Sequence, residues 1–329
     1  MTPLETAALL TGGAALLRAL VGLPAAARSF RRARVAAIPA GATPPLSLLK
    51  PLYGSDPGLE ENLERTLRQN YPEFEVLFLH ERPGDPALAA AEAAAARVPD
   101  VAVREIPGRA ESVPNPKLAV LARGEEEARF DILVSADADV RPDPLYLRDV
   151  ANGLAERDVV AFVPVQFGMR TLGARLLALL VDTDGFLGQV RAGGRLTSGA
   201  TLGVRRRALE EIGGYRAAGG TLAGDAELGR ALRRAGQPAA LARRAVRCYA
   251  PGGDLRASAR QLLRRVRTAR HAAPLRHLLH ALPAAAPPLL IAAAVASPHG
   301  AWALGALLAQ LLLRAAVANL RAGRVVQGG

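Results

Sequence analysis

The sequence predicts an α/β protein with a doubly wound, mostly parallel sheet, flanked by apolar helical segments at both ends. Three observations carry this. Asp56-Pro57, Asp85-Pro86, Asn115-Pro116 and Asp143-Pro144 recur every 28 to 30 residues, each readable as a helix N-cap followed by proline at the first helical position. Apolar runs suited to buried strands precede them. Half of the 329 residues are hydrophobic, enough for a sizeable core, and the single cysteine, Cys248, excludes a disulfide framework or a four-cysteine zinc site.

The elements follow in order. Residues 6–27 are apolar and long enough to span a bilayer, although Arg18 interrupts them, and Arg28, Arg31, Arg32 and Arg34 follow at once. A signal peptide is the rival reading, with Ala25-Ala26-Ala27 as a cleavage site. The opening residues carry Glu5 and no basic charge, which favours a retained anchor. The first region, 1–40, is therefore expected to be an N-terminal membrane anchor with a basic linker.

From 44 to 255 the chain reads as strand–helix units. Leu46–Leu49, Phe74–Leu79, the weaker Val101–Ile106 and Phe130–Ala136 are the strands; Leu59–Arg68 and Ala87–Arg97 are among the helices. Units of about 30 residues imply parallel strands with right-handed crossovers. The caps then lie at the carboxyl ends of the strands, where open α/β sheets bind ligands. Lys50-Pro51-Leu52-Tyr53-Gly54 stands where a dinucleotide-binding GxGxxG would follow the first strand, and no GxxxxGK is present.

The third region, 256–329, opens on a basic run: Arg260, Arg264, Arg265, Arg267 and Arg270. Pro287, Pro288 and Ser297-Pro298-His299-Gly300 split the apolar stretch Leu278–Leu320 into two segments, a membrane hairpin. A pair of buried core helices is the alternative, supported by Arg314. Positive flanks place the middle of the chain in the cytoplasm.

Net charge is +12, but only Lys50 and Lys117 among the 42 basic residues are lysine, so arginine abundance reflects coding bias. With aromatics at 4% and basic residues clustered beside the apolar segments, no nucleic-acid partner is expected. Two lysines kept at strand-end loops suggest a compact ammonium near phosphate or uracil, or chance retention.

The sharpest local signal is Asp137-Ala138-Asp139, just beyond a buried strand. Two carboxylates so placed suit Mg²⁺ or Mn²⁺ bridging substrate phosphates; a polar turn is the alternative. Asp182-Thr183-Asp184 has the same pattern but follows the helical stretch Leu176–Val181 and ranks below it. Asp225, before the helical stretch Glu227–Arg234, is either an N-cap or a general base. Asp85 reads as a cap that could also bind a ligand. His277 and His280 have no nearby carboxylate or thiolate and read as interfacial, and Cys248 reads as a packing residue.

In order along the chain stand Ser47–Gly54, Asn70-Tyr71-Pro72, Asp85-Pro86-Ala87, Asn115-Pro116-Lys117, Asp137-Ala138-Asp139, Thr197-Ser198-Gly199-Ala200, Gly213-Gly214-Tyr215, Leu222-Ala223-Gly224-Asp225 and Gln261-Leu262-Leu263-Arg264. This series resembles the ceramide glucosyltransferase family, glycosyltransferase family 21, and especially its bacterial hopanoid-associated branch. The resemblance implies a GT-A catalytic domain in the bacterial inner membrane, facing the cytoplasm, that uses a UDP-sugar, a divalent metal (Mn²⁺ or Mg²⁺) and a lipid alcohol acceptor. It places Asp85 near the nucleoside, Asp137 and Asp139 at the diphosphate and metal, Asp225 as catalytic base, and Gln261 and Arg264 on the QxxRW motif. Two departures stand out: Arg265 replaces the motif's tryptophan, and Gly224 and Ala226 flank Asp225 where an acidic residue and tyrosine are usual. A polysaccharide synthase-like transferase and a catalytically silent membrane scaffold of the same fold are the competing readings.

Overall fold

The computed structural model describes residues 2–32, 43–155, 157–191, 200–221, 223–237, 239–242, 244–272, 286–287, 289–298 and 300–326. The chain divides into two compact units, one built on a sheet and one helical.

In the sheet unit, β1 (Leu46–Pro51), β2 (Phe74–His80), β3 (Ala102–Pro107) and β4 (Ile132–Ala136) are the expected strands. They pair in parallel in the order β3-β2-β1-β4. Successive side chains of these strands enter opposite layers, so both faces must be covered. On one face Leu48, Phe78 and Val134 pack with Leu63 of α2 (Leu59–Leu67) and Ala91 of α3 (Pro86–Arg97). On the other, Leu49, Leu77 and Leu133 pack with Leu118 and Leu121 of α4 (Pro116–Glu127).

The sheet continues beyond β4 with a reversal. β8 (Thr201–Arg205) runs antiparallel to both β4 and β6 (Val159–Ala161), and β9 (Ala240–Leu241) closes the seven-stranded order. A small second sheet joins β5 (Val140–Arg141), β10 (Val246–Tyr249) and β7 (Pro164–Phe167). The remaining helices of this unit are α5 (Tyr146–Leu154), α7 (Arg206–Glu210), a 3₁₀ turn at Tyr215–Ala218, and α8 (Gly224–Arg234).

Two of the four expected caps are caps. Asp85 Oδ1 accepts from Ala87 N at 2.9 Å and Asn115 Oδ1 from Leu118 N at 3.2 Å, each followed by proline in the first turn. The other two fall short of their helices. Gly58, not Asp56, opens α2 at φ 77°, a left-handed conformation that suits glycine, and a Cβ there would lie 2.6 Å from the Tyr249 ring. Asp143 turns the chain through Leu145 N, 2.8 Å away, and α5 begins at Tyr146.

The helical unit contains α1 (Pro3–Arg32), α6 (Leu172–Arg191), α9 (Leu255–Ala272), a helical segment over 289–296 and α10 (Ala301–Val326). Ala8, Leu290, Ala293 and Ala303 form its small core. Gln310 donates to Gly12 O at 3.3 Å and Arg314 to Thr183 Oγ1 at 2.6 Å. The turn expected at Ser297–Gly300 is present, with Gly300 N on Ser297 O at 3.1 Å. Residues 278–285 of the expected hairpin lie outside the described residues. Among the described residues no helix is long and apolar enough to cross a membrane. Arg18 in α1 and Gln310 and Arg314 in α10 interrupt the apolar runs.

Candidate functional site

The acidic pair sits in the turn from β4 to β5, at the carboxyl end of the parallel strands. The backbone of this turn is held on every side. Asp137 N donates to Ala200 O at 2.8 Å and Val140 N to Asp137 O at 3.1 Å. The three carbonyls that follow are each occupied: Ala138 O by Asn62 Nδ2 at 3.1 Å, Asp139 O by Tyr249 N at 2.8 Å, and Val140 O by Lys50 Nζ at 3.1 Å. Such a turn presents its carboxylates on a rigid base.

Lys50 is fully buried beneath it. Its ammonium, expected to face phosphate or uracil, instead faces the back of the acidic turn. Burial lowers its pKa to about 8, with the negative charges of Asp139 and Asp137 opposing the shift. An unfolded chain would hold this proton more tightly, so between pH ~8 and the ordinary lysine value of 10.5 unfolding takes up a proton. Stability therefore gains from this group as pH rises through that window, by about 3 kcal/mol at most. Below it, both states are protonated and the full cost of burial is present. Lys50→Met should flatten this rise, read as the difference between variant and wild-type unfolding free energies at pH 7.5 and pH 10.

Lys117, at the start of α4, stands in front of the turn. Its Nζ lies 2.7 Å from Asp137 Oδ1 and 3.0 Å from Asp225 Oδ1. Asp225 belongs to the first turn of α8, and the helix is opened by Ala223 with no side-chain cap. The N-cap reading of Asp225 is thus replaced: its carboxylate turns to Lys117. Burial opposes the charged lysine, but the carboxylates of Asp137 and Asp225 outweigh it and raise its pKa. Asp137 is also raised, first by burial, with the charges of Asp225 and Asp139 adding and Lys117 pulling the other way. Its side chain keeps 35% of its surface in solvent, which tempers the burial contribution.

The approach of α8 to α4 depends on Gly224. A Cβ there would lie 2.5 Å from Leu118 Cδ1 and 2.9 Å from Asn115 Nδ2. Asn115 also ties the two segments, donating through Nδ2 to Thr221 O at 2.9 Å and through its backbone N to Gly219 O at 3.0 Å. Glycine at position 224 thus lets α8 lie close against α4, next to Asp225, whose carboxylate pairs with Lys117.

Asp85 stands at the neighbouring loop. Besides capping α3, its Oδ1 accepts from Gly54 N at 2.8 Å and so fixes the loop after β1. Gln261 and Arg264 lie on α9 of the helical unit, Gln261 half-buried and Arg264 exposed. Thr197, Ser198 and Gly199 are outside the described residues, as are His277 and His280. Asp182-Thr183-Asp184 lies within α6, where Thr183 Oγ1 donates to Leu179 O at 2.7 Å. Cys248 is buried in β10, as a packing residue would be.

Three supporting residues are not evident from motifs. Asn62 is buried on the apolar face of α2, and that misplaced polar side chain is the signal that could have exposed it. Arg141 donates through Nε to Asn62 Oδ1 at 2.7 Å and stacks 4.6 Å from the Tyr249 ring centroid and 5.1 Å from that of Phe167. Tyr249 holds the turn through its backbone N and stacks its ring on Arg141, neither of which a sequence pattern reveals.

Among the described residues no group of three or more His, Cys, Asp or Glu is arranged to hold a metal by itself. The donor set nevertheless fits a hard divalent cation that shares its shell with substrate. Asp137 and Asp139 supply two carboxylates on a rigid turn, and the lodged ammonium of Lys117 marks where positive charge is already favoured.

This fold is of the GT-A-like glycosyltransferase class. It is similar to a mannosyltransferase from Pyrobaculum calidifontis in complex with GDP-Man and Mn²⁺, with TM-score 0.54 and 20% identity over 95% of this chain and 99% of that one. The profile of glycosyl transferase family 21 matches residues 14–329, and the chain belongs to that family. A ceramide glucosyltransferase of Komagataella phaffii is 33% identical over 99 residues, 29% of this chain and 19% of the relative. Ceramide glucosyltransferase 1 of Caenorhabditis elegans is 26% identical over 215 residues, 60% of this chain and 44% of the relative. The chain thus spans less than half the length of these two relatives.

Proposed function

We propose that the chain is a membrane-bound, inverting hexosyltransferase that moves a sugar of glucose or N-acetylglucosamine type from a UDP-sugar to a lipid alcohol such as a hopanoid or ceramide. The observation that carries this is the convergence of Asp137 and Asp225 on Lys117 at the carboxyl end of the parallel strands. One carboxylate belongs to a donor-type acidic turn and the other to a separate helix, so donor and acceptor functions meet at one point.

Asp137 and Asp139 would hold the divalent ion, which when bound supplies charge neutralisation for the departing diphosphate. Asp85 keeps the loop after β1 closed against α3, shaping the wall on which a nucleoside would rest. Asp225 accepts the proton of the acceptor hydroxyl as that oxygen bonds to the anomeric carbon. The nucleoside diphosphate leaves from the opposite side, so one displacement inverts the centre. Lys117 lies within reach of both carboxylates, and its charge opposes the rise that burial imposes on Asp137.

The membrane reading draws on the helical unit, where many large apolar side chains face outward and several polar ones are buried. Leu9, Leu10, Leu17, Ile291, Val295, Leu304, Leu308 and Leu312 are exposed, while Thr11, Thr183, Gln310 and Arg314 are buried. Polar groups inside and leucine outside suit lipid contact. The exposed arginines of α9, including Arg256, Arg260, Arg264 and Arg267, suit anionic headgroups and a cytoplasmic face. The ceramide glucosyltransferase relatives favour a lipid acceptor over a growing polysaccharide. The assembled cluster of Lys117, Asp137 and Asp225 favours an active site over the silent scaffold.

Calorimetric titration of detergent-solubilised protein with UDP, with and without Mn²⁺, tests this reading. Metal-dependent binding is expected, followed by transfer of labelled sugar from UDP-glucose or UDP-N-acetylglucosamine to extracted lipids. Well-folded protein that binds no UDP under either condition would overturn it.

A further inference from the structure

Only two lysines occur in the chain, and both end at the same acidic turn: Lys50 on Val140 O beneath it and Lys117 on Asp137 in front. Their situations differ. Lys50 is fully buried, whereas Lys117 is 27% exposed, beside Asp137 at 35% and Asp225 at 38%. Lys117 therefore stands where a ligand can reach it. Its backbone is fixed by the Asn115 cap and by Pro116, so a change of partner needs only side-chain rotation. A lysine ammonium is a point charge on a flexible stem, suited to exchanging partners; an arginine would clamp a carboxylate through two parallel hydrogen bonds.

We propose that Lys117 is an internal counter-cation that competes with the divalent ion for Asp137, so that the metal binds well only when a nucleoside diphosphate arrives with it. The inference rests on the reading of Asp137 and Asp139 as the donor-metal site. An ammonium 2.7 Å from Asp137 Oδ1 already satisfies that carboxylate. A divalent ion on the same carboxylate brings like charges into close contact, and partial burial leaves them poorly screened. The diphosphate relieves this repulsion, because its negative charge can receive the ammonium while Asp137 turns to the metal. Asp225, 3.0 Å from the same Nζ, then exchanges a shared ammonium for one drawn toward the leaving group. The site is thereby kept from filling with metal alone, and metal and donor load together.

The test is Mn²⁺ binding to the full chain in detergent, followed by electron paramagnetic resonance of the free ion, with and without UDP. In Lys117→Gln, Mn²⁺ affinity without nucleotide should rise by about tenfold or more, and the enhancement by UDP should shrink by a similar factor. Lys117→Arg retains the charge and should bind Mn²⁺ without nucleotide no better than wild type. Circular dichroism and the thermal midpoint check folding. A folded Lys117→Gln that binds nucleotide-free Mn²⁺ no more tightly than wild type overturns the proposal. If that variant does not fold, an increased Mn²⁺ affinity in Lys117→Arg overturns it instead. Absence of Mn²⁺ binding to folded wild type even with UDP would remove the donor-metal reading itself, a result distinct from either.

Discussion

Asp139→Asn is expected to abolish metal-dependent UDP binding and to lower turnover by at least about 10²- to 10³-fold, the scale of losing one electrostatic stabiliser of a developing charge. The substitution keeps the shape of the side chain and removes its charge. The turn should survive, because the Asp139 carbonyl is held by Tyr249 N and its neighbours by Asn62 and Lys50, none of which uses the carboxylate. Loss of binding would then report lost charge and not a collapsed loop. A built-in control is available in Lys50, whose pKa is supported by the negative charge of Asp139. Removing that charge should lower Lys50 further, widening the pH window over which stability rises. Unchanged metal-dependent UDP affinity in a folded variant would take Asp139 out of the metal site.

The parts of this site that were legible in the sequence are those written as local pattern. Asp85 and Asn115 show themselves because a capping residue followed by proline is a feature of two adjacent positions, and both cap as expected. Most of the parallel half of the sheet is legible for a similar reason: the apolar runs of β1, β2 and β4 mark strands buried on both faces, while the edge strand β3 is weaker in pattern and mostly outside the buried core. What escaped local reading depends on distant contacts. The space at Gly58, where α2 starts, is bounded by the ring of Tyr249, far along the chain. The antiparallel insertion of β8 is a pairing choice that strand composition does not encode. Lys50 could be singled out as unusual, but its side depends on the strand's register, and it faces the back of the turn. The cluster of Lys117, Asp137 and Asp225 joins residues up to 108 positions apart. Each was a candidate alone; their meeting is a property of the fold.

Asp225→Asn is expected to leave UDP binding within about threefold of wild type while transfer falls by about 10²- to 10⁴-fold, the usual weight of a positioned general base. The geometry separates these two effects. Asp225 sits in the first turn of α8 without capping it, so its structural share is its pairing with Lys117, 3.0 Å away, and the favourable placement of negative charge at a helix N-terminus. The helix-terminus placement is worth about 0.3–1 kcal/mol, and an asparagine amide oxygen can still accept from the Lys117 ammonium. Lys117 retains Asp137 as a partner in the variant and the acidic turn keeps its own backbone bonds, so the donor side stays assembled. The kinetic form of the loss therefore matters more than its size. A base used only as the proton leaves lowers kcat and leaves the donor KM near wild type. Equal damage to UDP affinity and turnover would place Asp225 with the donor, and failure to fold would return it to a structural part.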